Sequence, residues 1–206
     1  LFSLREMIIH QLRKYIPLLF AIIFIVISVN SISYKSHTRD EARHLVRGIM
    51  LLETKDYRIN KHHPILANVL AAIPQQFNDD LVVPSTDSEI WDTAAKDELA
   101  DELVDINGGK RAFVLKVLNK SRYFLIIIFA LCGLWIISLV NEEFGFITAS
   151  IFAFLYYLSP NLIANARLIT TDTLVVPLTL ARIFSFFKYA RNYSTKDLGM
   201  FIFTAF

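Results

Sequence analysis

Two adjacent carboxylates, Asp40 and Glu41, with His44 just beyond them, are the residues of this chain best suited to proton transfer. They stand only a few positions after a long apolar run ends. Carboxylates held that close to the end of a membrane helix are placed to act on a substrate at the interface, where a general base must lie within hydrogen-bond reach of the proton it takes. A distant aspartate, Asp172, follows Arg167, Thr170 and Thr171 in a second short polar stretch. Other polar residues read more plainly. Arg39, Arg43 and Arg47 suit interfacial side chains whose stems lie on apolar surface while their heads reach water. Ten acids between Asp79 and Asp105 lack the glycine and ordered ligand positions of a calcium loop. Gly108-Gly109 is a turn signal, and Cys132 is the only cysteine, which leaves no disulfide framework and no thiolate metal site.

The elements that must deliver these groups are set by composition. The 206 residues are 54% hydrophobic and 13% aromatic, and the apolar ones are gathered into blocks nearly free of charge. Mean hydropathy is +0.45, above that of a soluble domain. A net charge of +2 argues against nucleic acid as a partner. Residues 15–32 carry no charge and are long enough for a helix crossing a bilayer core. The run is long for a signal-peptide core and lacks a small-x-small cleavage site before Tyr34, which favours a retained anchor. Further spans are expected at about 123–140, 146–160 and 174–187, the last kinked at Pro177, with another starting at 198 and running to 206 and onward. A chain that opens on Leu1 and stops within an apolar run reads as the N-terminal part of a longer membrane protein.

Residues 34–122 form a long polar section between the first two spans. Within it, residues 43–53 put Leu45, Val46, Ile49 and Leu52 on one helical face, and residues 64–73 suit a second helix with Pro64 at its first position and an apolar stripe behind it that ends at Pro74. Both suit helices lying in the membrane interface; a pair packed on each other is the alternative. A short helix is expected over 93–104 in the acidic stretch. Arg5, Arg13 and Lys14 place the N-terminus in the cytoplasm, and Lys188, Arg191 and Lys196 place the connector after the fourth span there too. By parity, 34–122 and 159–172 face the opposite side. Asp40 and Asp172 can then line one cavity.

The run DEARHLVRGIMLLETKDYRINKHHPILANVLAAIP resembles the first external loop of the GT-C membrane glycosyltransferases, in the branch of protein O-mannosyltransferases and aminoarabinose transferases. Asp40, Glu41, His44, Gly48, His63 and Pro64 match the family pattern in order, although Ile65 stands where a second proline is usual and His62 adds a second histidine. The stretch SPNLIANARLITTD keeps the Arg-x-x-x-x-Asp spacing from Arg167 to Asp172, and Arg122 at the head of the second span is a weaker match. The resemblance covers most of the chain except the acidic insert.

The resemblance implies an all-α, polytopic GT-C fold and transfer of a sugar from a polyprenyl-phosphate donor to a protein, lipid or glycan hydroxyl or amine, with inversion at the anomeric carbon. It makes Asp40 the catalytic base, with Glu41 beside it. The leaving phosphate needs cationic or hydrogen-bonding stabilisation, for which Arg122 and Arg167 are candidates, with His63 and His44 among the substrate-binding residues. Asp172 then orients Arg167, binds sugar hydroxyls, or holds a divalent cation with Glu41. The implied setting is a multi-pass protein of the cell (inner) membrane, in contact with lipid and active on the outer face. A non-catalytic subunit of an envelope system is the alternative. A transporter fits less well, since its ionisable residues would sit near mid-membrane.

Overall fold

The computed structural model describes residues 4–60 and 64–204, with side chains from Tyr15 onward. Among the described residues every regular element is helical. Three helices are long and apolar enough to cross a membrane: Tyr15–Ile32 within α1 (Leu4–Ile32), the continuous stretch Gly109–Leu158, and Asp172–Asn192. The chain divides into two compact units. One holds the residues up to Ile27 with Ile128–Ala164 and the residues from Leu174 on, and the other holds Ser28–Ile127 with Asn165–Thr173.

In the first unit the dominant feature is a reversal inside α7 (Asn119–Leu158), where Gly145 adopts φ 78° and ψ 172°. The left-handed φ suits glycine. The two legs on either side of Gly145 fold back on each other. The Tyr157 hydroxyl donates to the Ala130 carbonyl at 2.6 Å, and Phe129 stacks on Tyr156 with centroids 5.2 Å apart. Gly133 lets the legs approach, since a Cβ there would lie 2.5 Å from the Tyr156 ring. Phe24 of α1 stacks on Phe129 at 5.4 Å. Tyr156 and Tyr157 thus belong to a buried aromatic cluster. Glu142 and Glu143 pair with Lys188 and Arg191 of α9 (Asp172–Asn192), which brings the acidic turn and the basic connector to one end of their helices. After α9, Thr195–Phe203 forms a final helix, α10. Residues 205–206 of the expected last span lie outside the described residues.

The second unit has its own core. Here α2 (Arg39–Thr54) packs against α3 (Leu66–Ala72) and α5 (Lys96–Ile106). Leu45, Val46, Ile49 and Met50 are all fully buried among Ala71, Ala72, Leu99, Leu103 and Phe113. The apolar stripe of α2 is therefore spent on other helices, so α2 is not a helix resting its apolar face in the membrane interface. The packed-pair alternative describes it, with α5 as a further partner. Gly48 is the closest point of α2 to α3: a Cβ there would lie 2.0 Å from the Asn68 carbonyl oxygen.

Several boundaries move from their expected places. Helix α2 starts at Arg39 instead of residue 43, because Thr38 caps it: the Thr38 side chain accepts from the Glu41 N–H, and the Glu41 carboxylate accepts from the Thr38 N–H. Pro64 precedes α3, which begins at Leu66, and the chain runs through Pro74 as a 3-10 turn, Ile73–Phe77. The expected 93–104 helix is α4 (Glu89–Asp92) followed by α5 from Lys96, with Ala94 between them in a left-handed conformation at φ 53°. After α6 (Gly109–Phe113), one π-helical turn, Val114–Leu118, leads into α7. Its loosened carbonyls are met by side chains: Asn78 Nδ2 donates to Lys116 O at 3.1 Å and Gln75 Nε2 to Val117 O at 2.9 Å.

Candidate functional site

The capped first turn of α2 separates its two carboxylates. In a helix, adjacent residues point about 100° apart, so Asp40 and Glu41 face different surroundings. The Asp40 side chain is 68% exposed. Its Oδ1 accepts from Arg43 one turn on, at 3.0 Å. Arg43 also contacts Asp97 of α5, Nε to Oδ1 at 2.8 Å, which joins this turn to the acidic segment. One turn beyond Asp40, the buried His44 places Nδ1 2.9 Å from Asn68 Oδ1. Asn68 also places its Nδ2 3.2 Å from Asn60 Oδ1, donating to it, which turns its own oxygen toward the ring. Asp40, Arg43, His44, Arg47, Lys96 and Asp97 surround a cavity of about 260 Å³.

Glu41 is fully buried and faces Arg122, which is 81 positions away and equally buried. Arg122 Nε meets Glu41 Oε1 at 2.8 Å and NH2 meets Oε2 at 2.7 Å, a bidentate pair. The rest of the guanidinium is also used. NH2 donates to Ser36 O at 2.8 Å, and NH1 to Lys35 O at 3.3 Å and Asn119 Oδ1 at 3.4 Å. An arginine has five N–H donors, and these contacts account for all of them. Nothing of Arg122 is left over for a phosphate. These contacts tie the linker before α2 to the head of α7.

Glu41 is equally saturated. Its oxygens accept from Arg122, from Thr38 N–H at 3.0 Å and hydroxyl at 3.2 Å, and from the Ile169 N–H at 3.3 Å. These contacts occupy both carboxylate oxygens and hold Glu41 to the linker, to α7 and to the Ile169 backbone. Among the described residues no three His, Cys, Asp or Glu side chains converge as a metal site.

The Ile169 contact brings the Arg167–Asp172 stretch to the start of α2. That stretch holds its own shape. The Thr173 hydroxyl donates to Leu168 O at 2.7 Å, and the Leu168 N–H reaches Asn165 O at 2.9 Å. Arg167 is half-buried and its Nε meets no acceptor, while Asp172 is exposed at the first position of α9. Neither residue lines the cavity beside Asp40. His63 lies outside the described residues.

His37, in the linker beside this pair, stands edge-on to Phe113 with centroids 6.0 Å apart. Burial first, and then the positive charge of Lys110, pull its pKa below the ordinary value of 6.5.

Two features escaped the sequence reading. Thr38-x-x-Glu41 is a local capping-box signature and was legible in principle. The lining role of Lys96 and Asp97 was not, because it depends on α5 folding back onto α2. The chain matches no family model, no curated protein and no solved structure.

Proposed function

We propose that this chain is the catalytic part of a polytopic membrane glycosyltransferase that moves a sugar from a polyprenyl-phosphate donor to an acceptor hydroxyl or amine at the non-cytoplasmic face. The observation that carries the reading is the division of labour in the first turn of α2. Asp40 is exposed at a cavity with Oδ1 on Arg43, leaving Oδ2 to take a proton. Glu41 is locked to Arg122 and holds that turn in place.

The reaction is a single displacement. As the acceptor oxygen bonds to the anomeric carbon, its proton passes to Asp40 Oδ2, and the bond between that carbon and the donor phosphate oxygen breaks. The phosphate departs with the electron pair. Among the cations expected from sequence, Arg167 is the one with a guanidinium nitrogen lacking an acceptor, and it is assigned to the leaving phosphate. Asp172, five residues on, orients that arginine or binds sugar hydroxyls. His44, pinned through Nδ1 by Asn68, shapes the acceptor side of the cavity.

The test is transfer of radiolabelled sugar from synthetic polyprenyl-phosphate donors by the purified protein in nanodiscs. Asp40→Asn keeps the size and much of the hydrogen bonding of Asp40 but removes its basicity. Turnover should fall by about two orders of magnitude or more, the scale of general-base catalysis, with donor affinity little changed. Near-normal turnover in Asp40→Asn would remove Asp40 from the mechanism. No transfer from any donor by the wild-type protein would remove the reaction class.

A further inference from the structure

Arg47 is 4% exposed, and its buried Nε meets no acceptor among the described residues. A buried guanidinium without a partner is costly, and such groups are normally paired. Arg47 lies one turn beyond Arg43, but Arg43 already holds Asp40 and Asp97. Burial, followed by the charge of Arg43, pulls the Arg47 pKa below the usual arginine value.

Arg47 stands in the wall of two cavities, the one beside Asp40 and a larger one of about 350 Å³. The larger is bounded by Arg47, Arg58, Thr93, Lys96, Asp97 and Glu98, a size within the range of small-ligand sites. It also receives the N-terminus of α5. That helix begins at Lys96 with no side-chain cap, and Ala95, Lys96, Asp97 and Glu98 line the space. Uncapped N–H groups and the positive end of the helix dipole favour an anion.

The charges around the space sort by partner. Arg58 is neutralised by Asp56, Nε to Oδ2 at 2.6 Å, and lies over the Trp91 ring at 5.1 Å. Asp97 shares Arg43 with Asp40. Arg47 and Lys96 remain, facing Glu98 at the exposed rim.

We infer that the cavity between Arg47 and the N-terminus of α5 is a binding site for a phosphate group, either soluble or carried on a lipid. The oxyanion accepts from the Arg47 guanidinium and from the first N–H groups of α5, with the Lys96 ammonium closing over it. The site is separate from Arg167, to which the transfer reaction assigns its leaving phosphate, and it stands whether or not that reaction is correct.

The test is calorimetric titration of the purified protein with inorganic phosphate, in nanodiscs of phosphatidylcholine. Saturable one-site binding is expected. Arg47→Gln should weaken it by about tenfold or more, the worth of a charge-assisted hydrogen bond, and Arg167→Gln should leave it within about twofold. Lys96→Gln changes an exposed residue and should weaken binding about threefold, which keeps the test sound if Arg47→Gln does not fold. Repeating the titration with phosphatidic acid in the nanodisc separates the sources: competition lost in Arg47→Gln or Lys96→Gln marks a lipid phosphate, and no competition marks a soluble one. Absence of saturable phosphate binding overturns the inference. So does binding indifferent to both Arg47→Gln and Lys96→Gln, or binding lost in Arg167→Gln instead.

Discussion

Replacing Glu41 with Gln exchanges one carboxylate oxygen for an NH2 group and removes one charge, at a side chain with no exposure. Whichever way the amide is turned, its NH2 faces either Arg122 Nε or Arg122 NH2, where an acceptor stood at 2.8 or 2.7 Å. Arg122 keeps the carbonyls of Lys35 and Ser36 and the Asn119 side chain but loses its counter-charge at 1% exposure. Removing one partner of a buried pair costs about 3–5 kcal/mol, because the other charge is left uncompensated. The capping oxygen for Thr38 can survive in Gln, so the cap adds little to that figure. Arg122→Met should cost a similar amount, and the Glu41→Gln/Arg122→Met double variant should be no less stable than either single, a coupling of about 3 kcal/mol or more. Trp91 reports on the unit that holds the pair, since it is buried in that unit's core. In a Trp135→Phe background its fluorescence can follow denaturant unfolding in detergent. Destabilisation of Glu41→Gln below about 1 kcal/mol, or additivity of the two changes within about 0.5 kcal/mol, would refute the view that this pair holds the first turn of α2.

Gly48→Ala should destabilise the same unit by about 1–3 kcal/mol or prevent its folding, because the new Cβ meets the rigid backbone carbonyl of Asn68 at 2.0 Å; thermal melts beside the wild type check this. His37 gives a pH dependence. Its folded-state pKa lies below 6.5, so as pH falls through 6.5 the unfolded chain takes up a proton that the folded chain resists. Stability should fall as pH drops through that window and level off below the folded-state value. His37→Gln should flatten this limb in a series of denaturant midpoints against pH, and an unchanged slope would assign the effect elsewhere.

The long apolar helices were legible because a charge-free run such as Tyr15–Ile32 declares itself without reference to any partner. The break at Gly145 was legible for a similar local reason: a polar turn beside a residue that tolerates φ 78°. The stripe of Leu45, Val46 and Ile49 announced a helix with one apolar face, but stripe and moment are properties of a single helix. Whether that face meets lipid, α3 or α5 is decided by chain segments tens of residues away, and here it meets α3 and α5. The site divides in the same way. Asp40, Glu41 and His44 stood out by residue type and spacing, and the Thr38–Glu41 cap lay within one turn. Adjacency made Asp40 and Glu41 look like one catalytic pair, whereas the helical turn sends them in different directions. Only the tertiary structure brings Arg122 across 81 positions to saturate Glu41, and only the fold of α5 onto α2 buries Arg47 with its Nε lacking an acceptor among the described residues. Spacing along a chain fixes which residues share a helix face; it carries no information on which distant donor will consume their lone pairs.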